Sequence, residues 1–118
     1  MSDPASAGTG IVLCRLDEIA DGAARDFVFG EDTRQVRLFV LRRGGGFVAY
    51  INICPHIGTP LNILPGRFLG RNGDEIVCAT HGAQFRIEDG FCTDGPCEGK
   101  SLTPAAVTLE DGVLTFRP

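Results

Sequence analysis

Apolar and polar positions along this chain come in short paired bursts with turn residues between them. Val36-Arg37-Leu38-Phe39-Val40-Leu41 and Phe47-Val48-Ala49-Tyr50-Ile51-Asn52-Ile53 are rich in β-branched and aromatic residues, and Gly44-Gly45-Gly46 lies between them. Such a run predicts two antiparallel strands joined by a hairpin, because glycine accepts the positive φ of a tight turn. The signal repeats at Asn72-Gly73, between Arg67-Phe68-Leu69 and Glu75-Ile76-Val77. It recurs at Asp89-Gly90, between Gln84-Phe85-Arg86-Ile87 and Phe91-Cys92. It recurs again at Asp111-Gly112, between Val107-Thr108-Leu109 and Val113-Leu114-Thr115-Phe116. Ile11 to Leu16 reads as a first strand, and Asp17 to Gly22 as a short turn or a single helical turn ended by glycine. No long segment has a 3.6-residue period. The expectation is an all-β fold, a small antiparallel β-sandwich or barrel, with Met1 to Gly10 as a loose tail and residues 11–118 as one domain.

At 118 residues the chain has room for one ordinary core. Phe47 to Cys54 is far too short an apolar stretch to cross a membrane. No apolar run follows the start, so an export signal is not expected, and the expected location is cytoplasmic. Eleven basic against fifteen acidic residues give a formal charge of −4, which argues against nucleic acid as the main partner. The five cysteines are odd in number and irregularly spaced, so thiols used for metal or redox chemistry are expected before a disulfide framework. With two histidines in the chain, any mechanism needing three is excluded.

Those two histidines fall into mirrored pairs, Cys54-Pro55-His56 and Cys78-Ala79-Thr80-His81, each directly after a predicted strand. Loops at a sheet edge, aimed by rigid strands, can bring two thiolates and two imidazoles to one point. Gly58 and Gly82 let such loops wrap closely, and they point backbone N–H groups inward where a negatively charged sulfur can accept them. Pro55 and Pro60 stiffen the first loop. A tetrahedral zinc site in an interaction module is the alternative, but zinc spacing usually separates a Cys arm from a His arm, and here each arm is mixed. Mixed arms suit a two-iron cluster with both thiolates on one iron and both imidazoles on the other. Two ferric ions, two sulfides and two thiolates sum to zero, so reduction starts from a neutral cluster and the potential rises relative to an all-thiolate site.

C-x-H followed some twenty residues later by C-x-x-H resembles the Rieske [2Fe–2S] motif. Cys-Pro-His-Ile-Gly-Thr-Pro-Leu and Cys-Ala-Thr-His-Gly-Ala-Gln-Phe look like the stand-alone Rieske ferredoxins and Rieske domains of bacterial oxygenase systems, a likeness running from Leu13 to Phe116. The resemblance implies a cluster-binding part at about residues 52–98. It implies that Cys54 and Cys78 bind the inner iron, that His56 and His81 bind the outer one, and that Gly95-Pro96 forms a third loop over the cluster. It also implies a one-electron carrier with a flavin reductase as donor and an oxygenase as acceptor. A small electron-entry subunit of a reductase, similar to that of nitrite reductases, is the alternative. An oxygenase catalytic subunit is excluded, because a 2-His-1-carboxylate iron would need two further histidines.

The chain departs from the Rieske proteins of respiratory complexes in two ways. Thr59 and Thr80 occupy the positions of their additional cysteines, so the bridge between the cluster loops cannot form. Their His-Gly-Ser-x-Tyr string is here His81-Gly82-Ala83-Gln84-Phe85, which lacks both hydroxyl donors. Donors to sulfur stabilise the added electron, so a potential of roughly −150 mV to about 0 mV is expected. Of the remaining cysteines, Cys14 reads as a core residue, while Cys92 and Cys97 are close enough in sequence to pair if the intervening loop allows it. The eight phenylalanines read as packing, and Glu31-Asp32 and Glu88-Asp89 as solvated turns.

Overall fold

The computed structural model describes residues 10–30, 35–55, 58, 60–62, 66–70, 73–80, 82–97 and 99–117. Residues 1–9 of the expected tail (Met1 to Gly10), the Glu31-Asp32 turn, Thr59, Asn72 and both histidines lie outside the described residues. Among the described residues, nine strands make three antiparallel sheets of three strands each. The first sheet pairs β1 (Ile11–Arg15), β9 (Val113–Phe116) and β8 (Val107–Glu110) in the order β1-β9-β8. The second runs β2-β3-β4, with β2 at Ala24–Phe29, β3 at Val36–Arg43 and β4 at Gly46–Ile51. The third runs β5-β6-β7, with β5 at Glu75–Val77, β6 at Gln84–Arg86 and β7 at Cys92–Asp94.

The all-β expectation holds. The one helical element among the described residues is a 3-10 turn at Leu16–Glu18, one residue earlier than the sequence suggested and closed at Ile19 rather than at Gly22. The hairpins at Gly44, Asp89-Gly90 and Asp111-Gly112 form as expected. The segment Arg67-Phe68-Leu69 is a correction: it makes a single bridge, Leu69 to Ile76, and no strand. Its backbone still accepts from Val77 N at Phe68 O (2.8 Å), so it flanks β5 without extending the ladder. Strand β2 was not expected, because Arg25 and Asp26 interrupt its apolar pattern. It pairs residue for residue with β3, from Ala24 opposite Leu41 to Phe29 opposite Val36.

Strand β3 organises the core. Its side chains alternate between two faces, as the pleat requires, and Leu38, Phe39, Val40 and Leu41 are all buried. Leu38 and Val40 join a cluster with Cys14, Leu16, Ile19, Leu114 and Phe116, against the first sheet. Phe39 and Leu41 join a second cluster with Phe68, Ile76, Phe85, Ile87 and four cysteines, against the third sheet. Strand β3, at the centre of the β2-β3-β4 sheet, is therefore buried on both faces. Phe39 stacks on Phe68 with ring centroids 4.1 Å apart, which fixes the segment that β5 lacks as a partner strand.

Candidate metal centre

Cys54 follows β4 by three residues and Cys78 follows β5 directly. The two thiols are almost fully buried, at 1% and 0% exposure, in the same hydrophobic cluster. Each cysteine opens a turn of matching geometry. Gly58 N donates to Cys54 O at 2.8 Å, and Gly82 N donates to Cys78 O at 2.8 Å, four residues on in both loops. The glycines have φ of +77° and +76°, a left-handed conformation that a β-carbon disfavours. His56 and His81 belong by sequence to these two five-residue segments. A Cys-x-x-x-Gly spacing in both arms was legible in the sequence as the sign of this matched closure, and the sequence reading noted the glycines without it.

The two loops are tied to each other and to the β2-β3-β4 sheet. Ala79 N donates to Leu61 O at 2.7 Å, joining the exit of the first loop to the second. Asn52, buried at 3% exposure, accepts from Leu61 N (2.8 Å) at Oδ1 and donates from Nδ2 to Asn62 Oδ1 (2.9 Å). Asp26 on β2 accepts from Gly66 N (2.8 Å) and Asn62 Nδ2 (3.4 Å). A buried amide satisfied in this way fixes the loop in one geometry, since a buried polar group left unmade would cost about 1–3 kcal/mol. Sequence reasoning missed both Asn52 and Asp26, because their partners are distant in the chain.

A third segment packs against the second cysteine loop. Gly95 (φ +100°) sits so close to the second loop that a β-carbon on it would lie 2.7 Å from Ala83 Cα. Ala83 in turn accepts at its carbonyl from Cys78 N at 2.8 Å. The Asp94-Gly95-Pro96 turn thus rests on the backbone that positions Cys78. Tyr50 braces the same region from β4, its hydroxyl donating to Ile87 O at 2.6 Å. Burial, and then the charges of Asp89 and Glu88, raise the Tyr50 pKa, so it stays a donor across ordinary pH. Burial contrasts with the loop tips: Ile53, Gly58, Ala79, Thr80 and Gly82 are exposed. Buried thiols at the base and solvent at the tips make the region one-sided, closed around Cys54 and Cys78 and open at its tips.

The residues present fit an iron–sulfur cluster. Two buried thiols lead matched turns, and each turn contains one imidazole position by sequence. Among the described residues no three His, Cys, Asp or Glu side chains converge on an ion, and the two histidines are not among them. Cys14 lies in the other hydrophobic cluster, against β9, as a core residue. Its thiol is pushed up first by burial, with Arg25 acting in the opposite direction. Cys92 and Cys97 remain thiols rather than a disulfide.

The Rieske [2Fe-2S] domain matches residues 9–113, and the chain belongs to that family. Its cofactor is a Rieske [2Fe–2S] cluster, and the chain spans just under two thirds of the length of the curated relative it matches. The chain is 29% identical over 98 residues to the ferredoxin component of the alkene monooxygenase system of Xanthobacter autotrophicus (strain ATCC BAA-1158 / Py2), a match covering 83% of this chain and 66% of that protein. Among solved structures it is similar to the ferredoxin of carbazole 1,9a-dioxygenase from Nocardioides aromaticivorans IC177, with 23% identity and a TM-score of 0.69 over 93% of this chain and 98% of that one. It is also similar to a chain in a complex of reduced oxygenase and oxidized ferredoxin in carbazole 1,9a-dioxygenase, with 23% identity and a TM-score of 0.70 over 92% of this chain and 93% of that one. Among the described residues no helix is long and apolar enough to cross a membrane.

Proposed function

We propose that this chain is the ferredoxin component of a bacterial oxygenase system, taking one electron at a time from a flavin reductase and passing it to an oxygenase in the cytoplasm. The observation that carries the reading is the pair of cysteine-led turns, closed identically at Gly58 and Gly82, with buried sulfurs and exposed tips. Cys54 and Cys78 would hold the inner iron, and His56 and His81 the outer one. When bound, the cluster supplies reversible one-electron chemistry.

The chain's own residues shape that chemistry. Asn52 and the Ala79–Leu61 hydrogen bond hold the two loops at a fixed separation, so little reorganisation accompanies a change of charge. Phe39, Phe68 and Phe85 exclude water from the thiolate side. Ala83 and Phe85 place no hydroxyl on the sulfurs, which supports the low potential expected from the sequence. The exposed tips would carry the electron out through the imidazole edges. The monooxygenase and dioxygenase relatives support an oxygenase acceptor over the nitrite-reductase-like alternative. Residues 11–118 would act as one unit, with the cluster-binding part at about 52–98.

Visible absorption and EPR on protein purified without oxygen test the reading. A reddish-brown protein whose reduced form gives an EPR signal is expected, with a midpoint between about −150 mV and about 0 mV. A colourless protein with one zinc ion would overturn it, and a midpoint above roughly +200 mV would overturn the hydroxyl argument. The midpoint should also fall as pH rises, because ferric iron acidifies its imidazole ligands and reduction restores their protons. A flat response from neutral to strongly alkaline pH would remove histidine from the ligand set.

A further inference from the structure

Cys92 and Cys97 take no part in the proposed ligand set, yet the structure brings them together. Cys97 Sγ donates to Cys92 Sγ at 3.1 Å, and Cys92 Sγ donates to Asp94 O at 3.3 Å. The gap between the sulfurs is only about 1 Å longer than a disulfide bond. The backbone holds them there: Cys92 N donates to Lys100 O at 2.8 Å, and Lys100 N donates back to Cys97 O at 2.9 Å. Between the two cysteines lies the Asp94-Gly95-Pro96 turn that rests on Ala83.

We propose that Cys92 and Cys97 are an oxidisable dithiol, a modification site that a hydroperoxide converts into a disulfide across the turn packed against the second cysteine loop. The proposal stands on thiol geometry and needs no assignment of iron ligands. Both residues are buried, at 0% and 1% exposure, which favours an oxidant as small as hydrogen peroxide over a bulky disulfide. One thiol attacks the peroxide O–O bond and becomes a sulfenic acid, releasing water. The second thiol displaces the hydroxyl from that sulfur, forming the S–S bond and a second water. Two thiols lose two electrons and two protons, and the peroxide takes them up.

The reduced pair is the resting form. Burial, then the hydrogen bond to Cys92, push the Cys97 thiol up to about 12, so thiolate is scarce and oxidation is slow beside that of an exposed cysteine. A bridge would hold that turn covalently, where the bridge of the respiratory relatives is ruled out by Thr59 and Thr80.

Trypsin releases both cysteines in one peptide, cut after Arg86 and Lys100, separate from those carrying Cys14, Cys54 and Cys78. The test exposes the purified full chain to hydrogen peroxide, removes the excess, denatures, alkylates with iodoacetamide and maps the peptides. The visible spectrum recorded beforehand reports the cluster reading separately. The expected result is that peptide 87–100 loses two hydrogens, takes no label, and regains two labels after dithiothreitol. Cys92→Ser and Cys97→Ser should each abolish the bridge, leaving in that peptide a single thiol or its sulfenic acid, and either variant suffices if the other does not fold. Two labels surviving peroxide, a sulfinic acid in place of the bridge, or a bridge to Cys54 or Cys78 would overturn the proposal.

Discussion

The two faces of strand β3 separate two ways of building a protein. On one face, Leu38 and Val40 pack toward the sheet of β1, β9 and β8, whose two ladders run to four residue pairs each, unbroken between β8 and β9 and with a register shift between Val12 and Cys14 on β1. On the other, Phe39 and Leu41 pack toward a sheet whose strands have three residues each. Long ladders and aliphatic burial hold the first region. The second holds its shape through turns, buried polar groups and close backbone contacts: Asn52 on the first loop, Tyr50 on Ile87, Gly95 on Ala83. Residues of the site region are arranged to present thiols, and so its strands are short and its geometry rests on single contacts. Loss of one contact there should move the site without unfolding the molecule, whereas loss of packing on either side of β3 should lower global stability.

The sharpest form of this contrast uses one residue type on both faces. Leu38 and Leu41 are both buried, at 0% and 1% exposure. Leu38→Ala and Leu41→Ala should each cost about 2–5 kcal/mol in denaturant unfolding, because each leaves a cavity in packed surroundings. Their cluster spectra should differ: Leu41→Ala broadens the EPR signal of the reduced protein, and Leu38→Ala leaves it unchanged. Equal spectral effects would show that the two regions are mechanically one.

Gly95→Ala comes next. The new β-carbon meets Ala83 Cα at 2.7 Å, a backbone atom that cannot swing aside, and the residue must keep a φ of +100°. A destabilisation of about 1–3 kcal/mol is expected from the strained backbone conformation. Hydrogen exchange should speed up in β5 to β7 while β8 and β9 stay protected. Uniform loss of protection in all three sheets would contradict the division. Tyr50→Phe strands the Ile87 carbonyl in the core and should cost about 1–3 kcal/mol in the same assay, again with the change centred on the β6–β7 turn.

The sequence carried the chemistry of this site more clearly than its support. The mirrored Cys–His pairs and the Gly and Asp-Gly turns are local signals, and three of the four expected hairpins form with both arms as strands. Strand β2 escaped because it is an edge strand whose charged Arg25 and Asp26 break the alternation, and its conformation is set by pairing with β3. Arg67 to Leu69 misled for the opposite reason. Its apolar residues serve the Phe39–Phe68 stack rather than a ladder. Asn52 and Tyr50 look like ordinary strand residues until Leu61, Asn62 and Ile87 are brought beside them. Local pattern fixes turns and ligands, and long-range contact fixes what holds them.

The smallest expected effect lies on the exposed edge of the site region, where the β6–β7 turn is pinned by an ion pair. Arg86 donates to both carboxylate oxygens of Asp89, at 2.7 Å and 3.1 Å, and Phe91 N donates to Oδ1 at 3.0 Å. The Arg86 hydrogen bond first, then that backbone N–H, hold the Asp89 carboxyl below its ordinary value of 3.8. The unfolded chain therefore takes up a proton near 3.8 while the folded chain does not. The stabilisation is present in full above that pH and is lost as pH falls through the folded-state value. Both side chains are half exposed, at 51%, so water and salt screen the pair and its contribution at neutral pH is slight. Asp89→Asn keeps an acceptor for Phe91 N and removes the charge together with the second oxygen that Arg86 Nη2 uses. Its melting temperature should sit slightly below that of the parent at pH 7 in low salt, and the difference should vanish in high salt or once the parent carboxyl is protonated. A difference that persists in acid would mean that the turn depends on the shape of Asp89 rather than its charge, which would place even this exposed hairpin among the contacts that the site cannot lose.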